Sequence, residues 1–323
     1  MKAALVTGPG QTPIYGDFPD PVPSAGESLV TVTASALSRL AVGRASGSHY
    51  SASGAYPMVV GVDGVGKLED GRRVYFVLPR APYGSMSERT VVKASQCIFL
   101  PEGLGDVLAA GIANPGMSCW GALKERGKLQ AGETVLINGA TGTAGRLAIQ
   151  VAKYMGAKKV IATGLNPESL RGLTALGADI TVPLVEDGAA LEDAFKEQFS
   201  GGVDVVVDYV WGPSAEHLLA AAAKAGTQGR HIRYVHVGTL SGIENIKLPG
   251  TTLRSLPLEI MGSGIGSVSW ENIVKDIGEL LNTTVGAGFN IETKSVPLPE
   301  VEAAWASNTG MPRTVFTLGP GLS

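Results

Sequence analysis

The spacing of apolar positions changes partway along the chain. In the first hundred residues, short apolar runs rich in valine, leucine and threonine are separated by glycine, proline and serine. Such runs predict short strands, here at Met1–Thr7, Ser28–Ser35, Met58–Val65 and Arg73–Leu78. Many short strands joined by tight turns indicate a compact β-rich unit.

From residue 133 onward, strand patterns alternate with helical patterns. Apolar residues at 133–139 predict a strand, and Thr143–Met155 places its apolar residues on one face of a helix. Further strands are predicted at Lys159–Thr163, Ile180–Leu184, Val203–Val210, Ile232–Val237 and Leu258–Met261, and further helices at Pro167–Leu176, Ala189–Phe199 and Ser214–Lys224. This alternation predicts an α/β fold, a doubly wound parallel sheet with helices on both faces.

The end of the chain returns to strand character, at Thr293–Val296 and Thr314–Leu318. We therefore expect two domains: a β-rich domain from 1–115 together with 285–323, and a nucleotide-binding domain from 116–284.

Composition narrows the classes of function. The chain has 323 residues, 44% of them apolar and 17% charged, and a net charge of −3 without a basic run. Nucleic-acid binding is therefore not expected, and no stretch is long and apolar enough to predict a membrane span. The two cysteines, Cys97 and Cys119, favour a reducing cytoplasmic compartment over a disulfide scaffold.

A glycine-rich turn joins the first strand of the α/β part to its helix. Residues 137–145 read Ile-Asn-Gly-Ala-Thr-Gly-Thr-Ala-Gly; Ala140, Gly142 and Gly145 take the three glycine positions of the dinucleotide fingerprint. Bare amides and the helix dipole at such a turn attract a pyrophosphate. We expect the contacts from Ala140, Thr141, Gly142, Thr143 and Ala144. The alternative is a tight turn without a ligand.

The end of the second α/β strand favours NADP(H) over NAD(H). An NAD site usually offers a carboxylate there, but no acid follows Gly164 until Glu168. Gly164 is expected to contact the cofactor there, and Asn166, with Ser169, and Arg171 are candidates for holding a 2′-phosphate; a solvated helix face is the alternative for Arg171. Ligands bind beyond the carboxyl ends of parallel strands. The nicotinamide is therefore expected beside Val237, Gly238, Thr239 and Ser263, which follow the last two α/β strands.

The chain resembles the quinone-reductase branch of the medium-chain dehydrogenase/reductase family. The resemblance is carried by residues 139–145, by Leu176-Gly177-Ala178-Asp179 and by Gly202–Asp208. It implies a GroES-like β-rich catalytic domain beside a Rossmann domain, NADPH as cofactor and a homodimer. The activity it implies is hydride transfer to a quinone or an α,β-unsaturated carbonyl. It also places Ser118 near the nicotinamide.

Several positions depart from the family pattern. Zinc-using relatives carry Gly-His-Glu where this chain has Gly61-Val62-Asp63, and the cysteine cluster of a structural zinc is absent from the sequence, so no metal site is expected. We interpret Asp63 as a remnant that makes a structural hydrogen bond. Ser38, Ala41 and Gly43 stand where quinone reductases often have Asn, Asp and Tyr. Residues 169 and 184 hold Ser and Leu in place of the usual phosphate-binding Lys and Tyr.

Because Gly43 stands in place of the usual tyrosine, the sequence does not identify the proton donor. Hydroxyl groups can stabilise the oxygen that gains charge during hydride transfer, and Ser38, Tyr50 and Tyr56 are the candidates; turn packing or surface exposure is the alternative for each. Two other functions stay open: an enoyl-thioester reductase acting in a biosynthetic pathway, and a redox sensor that binds NADPH without turnover.

Overall fold

The computed structural model describes residues 1–49, 52, 54–185, 187–226 and 229–319. The chain divides into two compact units, Met1–Asn114 with Ile277–Ser323, and Pro115–Asp276. The sequence pattern predicts domain boundaries after residues 115 and 284.

The strands are short in both units. They are β1 Lys2–Val6, β2 Ile14–Asp17, β3 Glu27–Ala36, β4 Met58–Val59, β5 Asp63–Lys67, β6 Arg73–Val77, β7 Arg89–Lys93, β8 Cys97–Phe99, β9 Thr134–Asn138, β10 Lys159–Gly164, β11 Ile180–Pro183, β12 Val205–Asp208, β13 Ile232–His236, β14 Leu258–Gly262, β15 Thr293–Pro297 and β16 Arg313–Thr317.

The α-helices include the long helices that flank the parallel sheet. They are α1 Arg39–Ser46, α2 Asp106–Gly121, α3 Thr143–Tyr154, α4 Pro167–Arg171, α5 Gly188–Ser200, α6 Gly212–Ala225, α7 Gly250–Ser255, α8 Trp270–Ala287 and α9 Val301–Ala306. A π-helical turn, Ala122–Arg126, continues α2. Within the described residues, no helix combines the length and apolar character needed to cross a bilayer.

The second unit contains a six-stranded sheet in the order β11-β10-β9-β12-β13-β14. All of its neighbouring strands are parallel. This is the doubly wound order in which a dinucleotide binds where β9 and β12 lie side by side. The predicted parallel sheet is confirmed. The central strand β12 has fully buried Val205, Val206 and Val207, as expected for a strand covered on both faces.

The first unit contains two sheets, one of three strands in the order β2-β1-β4 and one built on β15-β16-β3-β5-β6-β8, with β7 also pairing with β3. β16 pairs antiparallel with β3, so the C-terminal strands and the N-terminal strands share one sheet. The core of this unit includes Val30, Val74 and Phe76, all fully buried.

Some predicted elements are wrong. Met58–Val65 is not one strand: it breaks at Gly61, which has φ +99° and whose added Cβ would lie 2.3 Å from Ser85 Oγ. The helix predicted at Pro167–Leu176 ends at Arg171, and a 3₁₀ turn follows. The strand predicted at Val203–Val210 is regular only as β12.

Candidate functional site

The glycine-rich turn leaves the start of α3 open. Gly142 is the N-cap of α3, and no side chain caps the helix there. The first backbone N–H groups of a helix lack intrahelical partners and attract anions. A Cβ added to Gly142 would meet nothing within 4 Å. Gly142 has φ −79° and ψ 170°, values open to any residue, so its conformation does not require glycine.

Two neighbouring glycines are needed for packing. A Cβ on Gly145 would lie 2.5 Å from Ala140 Cα, and a Cβ on Gly164 would lie 2.4 Å from Thr141 Cγ2. The backbone of the turn is also tied to β10, because Ala140 N donates to Thr163 O at 2.7 Å and Gly139 N donates to Thr163 Oγ1 at 3.0 Å. The turn is therefore held rigidly against the sheet.

A network of buried hydrogen bonds lies next to this turn. Asn138 donates through Nδ2 to Asp208 Oδ1 at 2.7 Å and accepts at Oδ1 from Thr163 Oγ1 at 2.7 Å and Ser214 Oγ at 3.1 Å. Asn138, Thr163 and Asp208 are fully buried. Because Asn138 directly precedes the glycine-rich turn, the network fixes the point where the chain leaves the sheet.

Asp208 also holds a strained turn. Its carboxylate accepts from Val210 N at 2.8 Å, from Trp211 N at 3.1 Å and from the Tyr234 hydroxyl at 2.6 Å. Trp211 has φ 61° and ψ −162°, a region that only glycine occupies without strain. The Trp211 ring lies 4.2 Å from the His236 ring, centroid to centroid. The carboxylate thus anchors a backbone conformation that would otherwise relax.

The predicted nicotinamide-side residues follow β13 and β14 along the same edge of the sheet. Val237 N and Gly238 N both donate to Asp208 O, at 2.8 and 3.2 Å, and Ser263 N donates to His236 O at 2.8 Å. Thr239 is partly exposed, as are its two predecessors.

Ser118, in α2, lies beside Tyr209, which directly follows β12. Burial, followed by the neighbouring Cys119, raises the pKa of Tyr209 well above its ordinary value. Of the residues predicted near the nicotinamide, Ser118 of α2 therefore lies at the end of β12, while Val237, Gly238 and Thr239 follow β13 and Ser263 follows β14.

At the end of β10, the two candidates for the 2′-phosphate differ in their hydrogen bonds and exposure. Asn166 caps α4, accepting at Oδ1 from Glu168 N at 2.8 Å and Ser169 N at 3.1 Å. Arg171 is exposed. Arg146, on α3, was not predicted as a site residue. Its guanidinium lies close to the end of α4, because a Cβ added to Gly172 would be 3.6 Å from Arg146 Nη2. Its position four residues after Gly142 on a predicted helix was the available signal.

In the first unit, two of the predicted catalytic hydroxyls contact α1. Ser38 is 2% exposed and is the N-cap of α1, accepting from Ala41 N at 3.0 Å. The Tyr56 hydroxyl donates to Ala45 O at 2.9 Å. Tyr50 lies outside the described residues. The roles of all three in catalysis stay predictions.

Asp63 lies in a buried charged cluster. Its Oδ2 accepts from the Tyr75 hydroxyl at 2.8 Å, which confirms the expected structural hydrogen bond. Asp63 Oδ1 and the Nε and Nη2 of buried Arg313 have no hydrogen-bond partner among the described residues. Burial raises the pKa of Asp63 to about 6, while Tyr75 and the positive charge of Arg313 oppose the rise.

This raised pKa predicts a pH-dependent stability. With a folded-state pKa of about 6 against an ordinary 3.8, the carboxyl stabilises the fold fully below about pH 4 and loses that contribution as the pH rises through 6. The loss amounts to roughly 3 kcal/mol. In Asp63→Asn the free energy of unfolding should therefore fall less between pH 4 and pH 8 than in the wild type, as chemical denaturation can measure.

The control for this measurement is Asp193→Asn, which removes an exposed carboxylate from α5. A wild type and an Asp63→Asn variant with parallel stability profiles over this range would contradict the assignment of Asp63.

The described residues contain no group of three or more His, Cys, Asp or Glu side chains placed to hold a metal ion. The Cys119 thiol is buried, and burial raises its pKa to about 12. This agrees with the interpretation of Cys119 as a packing residue, since the reactive form of cysteine is the thiolate.

The sheet order, the uncapped glycine-rich turn and the network beneath it define a dinucleotide-binding protein. Comparison with known proteins makes the class specific. Residues 144–281 match the family described as "Zinc-binding dehydrogenase". The chain is 32% identical to the "Probable NADPH-dependent quinone reductase tdiC" of Emericella nidulans, over 94% of this chain and 96% of that protein.

Two further relatives support the same class. The quinone oxidoreductase from Thermus thermophilus, solved with and without NADPH, superposes with a TM-score of 0.80 at 26% identity, covering 98% of this chain and 100% of that one. The acryloyl-coenzyme A reductase of Sulfurisphaera tokodaii is 26% identical over 80% of this chain and 83% of that protein.

This chain belongs to the medium-chain dehydrogenase/reductase superfamily, in its quinone oxidoreductase-like branch. The expected architecture is confirmed: a Rossmann unit with a parallel sheet and a separate GroES-like β-rich unit.

Proposed function

We propose that this NADPH-dependent oxidoreductase transfers hydride to a quinone or an α,β-unsaturated carbonyl without the help of a metal ion. The observation that carries the proposal is the uncapped start of α3 at Gly142, with open space at its Cβ position. Similarity to quinone reductases over nearly the whole chain supports the same reaction.

The Rossmann unit binds and orients the reactants. Amides of residues 140–144 hold the pyrophosphate at the start of α3. Asn138 and Asp208 keep that turn and the segment after β12 in place. Thr239 and Ser263 flank the nicotinamide at the carboxyl edge of the sheet. When bound, the cofactor supplies the hydride, and the protein supplies position and electrostatics.

The acceptor's oxygen gains negative charge as hydride reaches the conjugated system. Hydroxyl groups of the first unit, from Ser38, Tyr50 and Tyr56, are our candidates for stabilising it. The Tyr56 hydroxyl would have to release its hydrogen bond to Ala45 O to donate to the acceptor. A quinone needs no protein acid, because the reduced product can take its proton from water. An enone accepts hydride at one carbon and a proton at the next, so its reduction depends more on a nearby donor.

The test is NADPH oxidation by the purified, chelator-treated protein with three groups of acceptors: benzoquinones, short enones and crotonyl thioesters. We expect turnover with quinones or enones that does not respond to added zinc. Turnover restricted to thioesters would support the enoyl-thioester alternative instead. Tight NADPH binding without oxidation by any acceptor would support the redox sensor.

We also propose that Arg171 and Arg146 bind the 2′-phosphate. Arg171→Ala and Arg146→Ala should each weaken NADPH binding about tenfold, because each removes one charge-assisted contact. Binding of NADH, which lacks the phosphate, should stay unchanged. Calorimetric titration with both nucleotides measures this difference. The control is Arg254→Ala, an exposed arginine of α7 in the same unit; equal losses for both nucleotides would contradict the proposal.

The family resemblance further implies a homodimer, and the two cysteines favour a cytoplasmic location; both remain proposals. The edge strand β14 supports the first, since Ile260 on it is 36% exposed. An edge strand offers unpaired backbone groups to a second sheet. Light scattering coupled to size-exclusion chromatography measures the mass in solution, and a monomer at micromolar concentration would contradict the dimer.

A further inference from the structure

Arg44 is a partly buried cation, and no described acidic residue forms an ion pair with it. It lies in the last turn of α1 and makes no side-chain hydrogen bond or ion pair with the described residues. Burial lowers its pKa below the ordinary value for arginine. Removing a guanidinium from water is unfavourable unless a partner replaces the lost hydration. The fold therefore holds a charge whose stabilising partner is missing from the described part of the protein.

Other partly buried arginines do have partners. The ion pairs are Arg73–Asp106, Arg80–Glu27, Arg89–Asp20 and Arg233–Glu133. His49, which lies near Arg44, cannot balance its charge: burial, followed by the positive charge of Arg44, lowers the pKa of His49, which keeps the imidazole neutral near pH 7.

Arg44 lines a small pocket of the first unit. Ala41, one helical turn earlier on the same face of α1, also lines it. The other walls are mainly apolar, including Met58, Val62, Pro79 and Pro82, and none of the lining residues is acidic. The free space is about 20 Å³, which is enough for about one water molecule or one small polar group. The pocket is thus positively charged, apolar-walled and small.

We propose that Arg44 binds a carboxylate carried by the acceptor molecule, with the carboxylate group in this pocket and the rest of the acceptor outside it. The planar guanidinium can donate two parallel hydrogen bonds to a carboxylate. The proposal rests on the proposed reductase function and narrows its substrates to quinones or enones with an acidic substituent.

A structural role for Arg44 makes a different prediction. A cation in the last turn of a helix interacts favourably with the helix dipole, and Lys would serve this purpose as well as Arg. Carboxylate binding needs the planar fork in addition to the charge. The variants Arg44→Lys and Arg44→Gln therefore separate the two roles, and Arg39→Gln, at the exposed start of the same helix, is the matched control.

The test compares a carboxylated benzoquinone with its methyl ester as acceptors at saturating NADPH. In the wild type we expect a lower KM for the acid than for the ester. Arg44→Gln should raise the KM for the acid about tenfold or more and change the ester's KM and kcat less than about twofold. Arg44→Lys should recover part of the loss, and Arg39→Gln should behave as the wild type.

Binding of benzoate to the protein provides a readout independent of turnover. Benzoate should shift NMR signals of the wild-type protein as it binds, and it should bind weakly or not at all to Arg44→Gln. Inorganic phosphate, titrated in the same way, tests whether the pocket binds any anion. Equal losses for acid and ester, or equal benzoate binding in both proteins, would overturn the proposal. If no acceptor is reduced while benzoate binding still depends on Arg44, the reductase function fails and the anion pocket stands.

Discussion

Replacing Asp208 with alanine is expected to lower the free energy of unfolding by roughly 3–5 kcal/mol. The carboxylate is fully buried and accepts from four donors: Asn138 Nδ2, Val210 N, Trp211 N and the Tyr234 hydroxyl. Without it the buried Asn138 amide and Tyr234 hydroxyl lose their acceptor, and the strained turn at Trp211 loses its anchor. Denaturant unfolding of the purified variant measures the loss.

The control for this prediction is Asp187→Ala. Asp187 is exposed and caps α5 through two backbone N–H groups, so its removal should cost about 1 kcal/mol. A loss from Asp208→Ala no larger than that from Asp187→Ala would show that the buried network is not a major source of stability.

Replacing Gly142 with alanine is expected to weaken NADPH binding at least about tenfold while leaving the fold intact. The added methyl group meets no protein atom within 4 Å, and the backbone angles at Gly142 suit alanine. It would instead occupy the space through which a pyrophosphate approaches the amides of the turn. Calorimetric titration with NADPH, together with thermal unfolding of the free protein, measures both effects.

Two other glycines of the second unit serve as controls. Gly250→Ala also adds a methyl group in open space and should leave NADPH binding unchanged. Gly145→Ala should destabilise the unit, because its Cβ would lie 2.6 Å from Gly139 O. Undiminished NADPH affinity in Gly142→Ala would contradict the placement of the nucleotide.

The nucleotide-binding half of the fold was predictable from sequence because its apolar periodicity is strong. The helix predicted at Thr143–Met155 is α3, one residue shorter, and the predicted strand Lys159–Thr163 is β10, one residue longer. The helices that were missed are α1, α2, α7, α8 and α9. α1 is short and contains Gly43, which disfavours helix, and α2 contains Pro115, which usually ends one.

The candidate site was predictable only in part. The glycine-rich turn can be recognised from sequence because its function depends on consecutive residues. The network beneath it joins Asn138 to Asp208, which are 70 residues apart, and no local pattern reveals that pairing. The sequence likewise gives no sign that Ser38 caps α1 or that the Tyr56 hydroxyl donates to Ala45 O. Exposed caps and turns are visible in sequence, whereas long-range side-chain partners are not.

A crystal structure of the wild-type protein with NADPH would show where the nucleotide binds. We expect pyrophosphate oxygens within hydrogen-bond distance of backbone amides in residues 140–144, with the nicotinamide beside Thr239 and Ser263. A nucleotide bound elsewhere on the protein, with the start of α3 left to solvent, would contradict it.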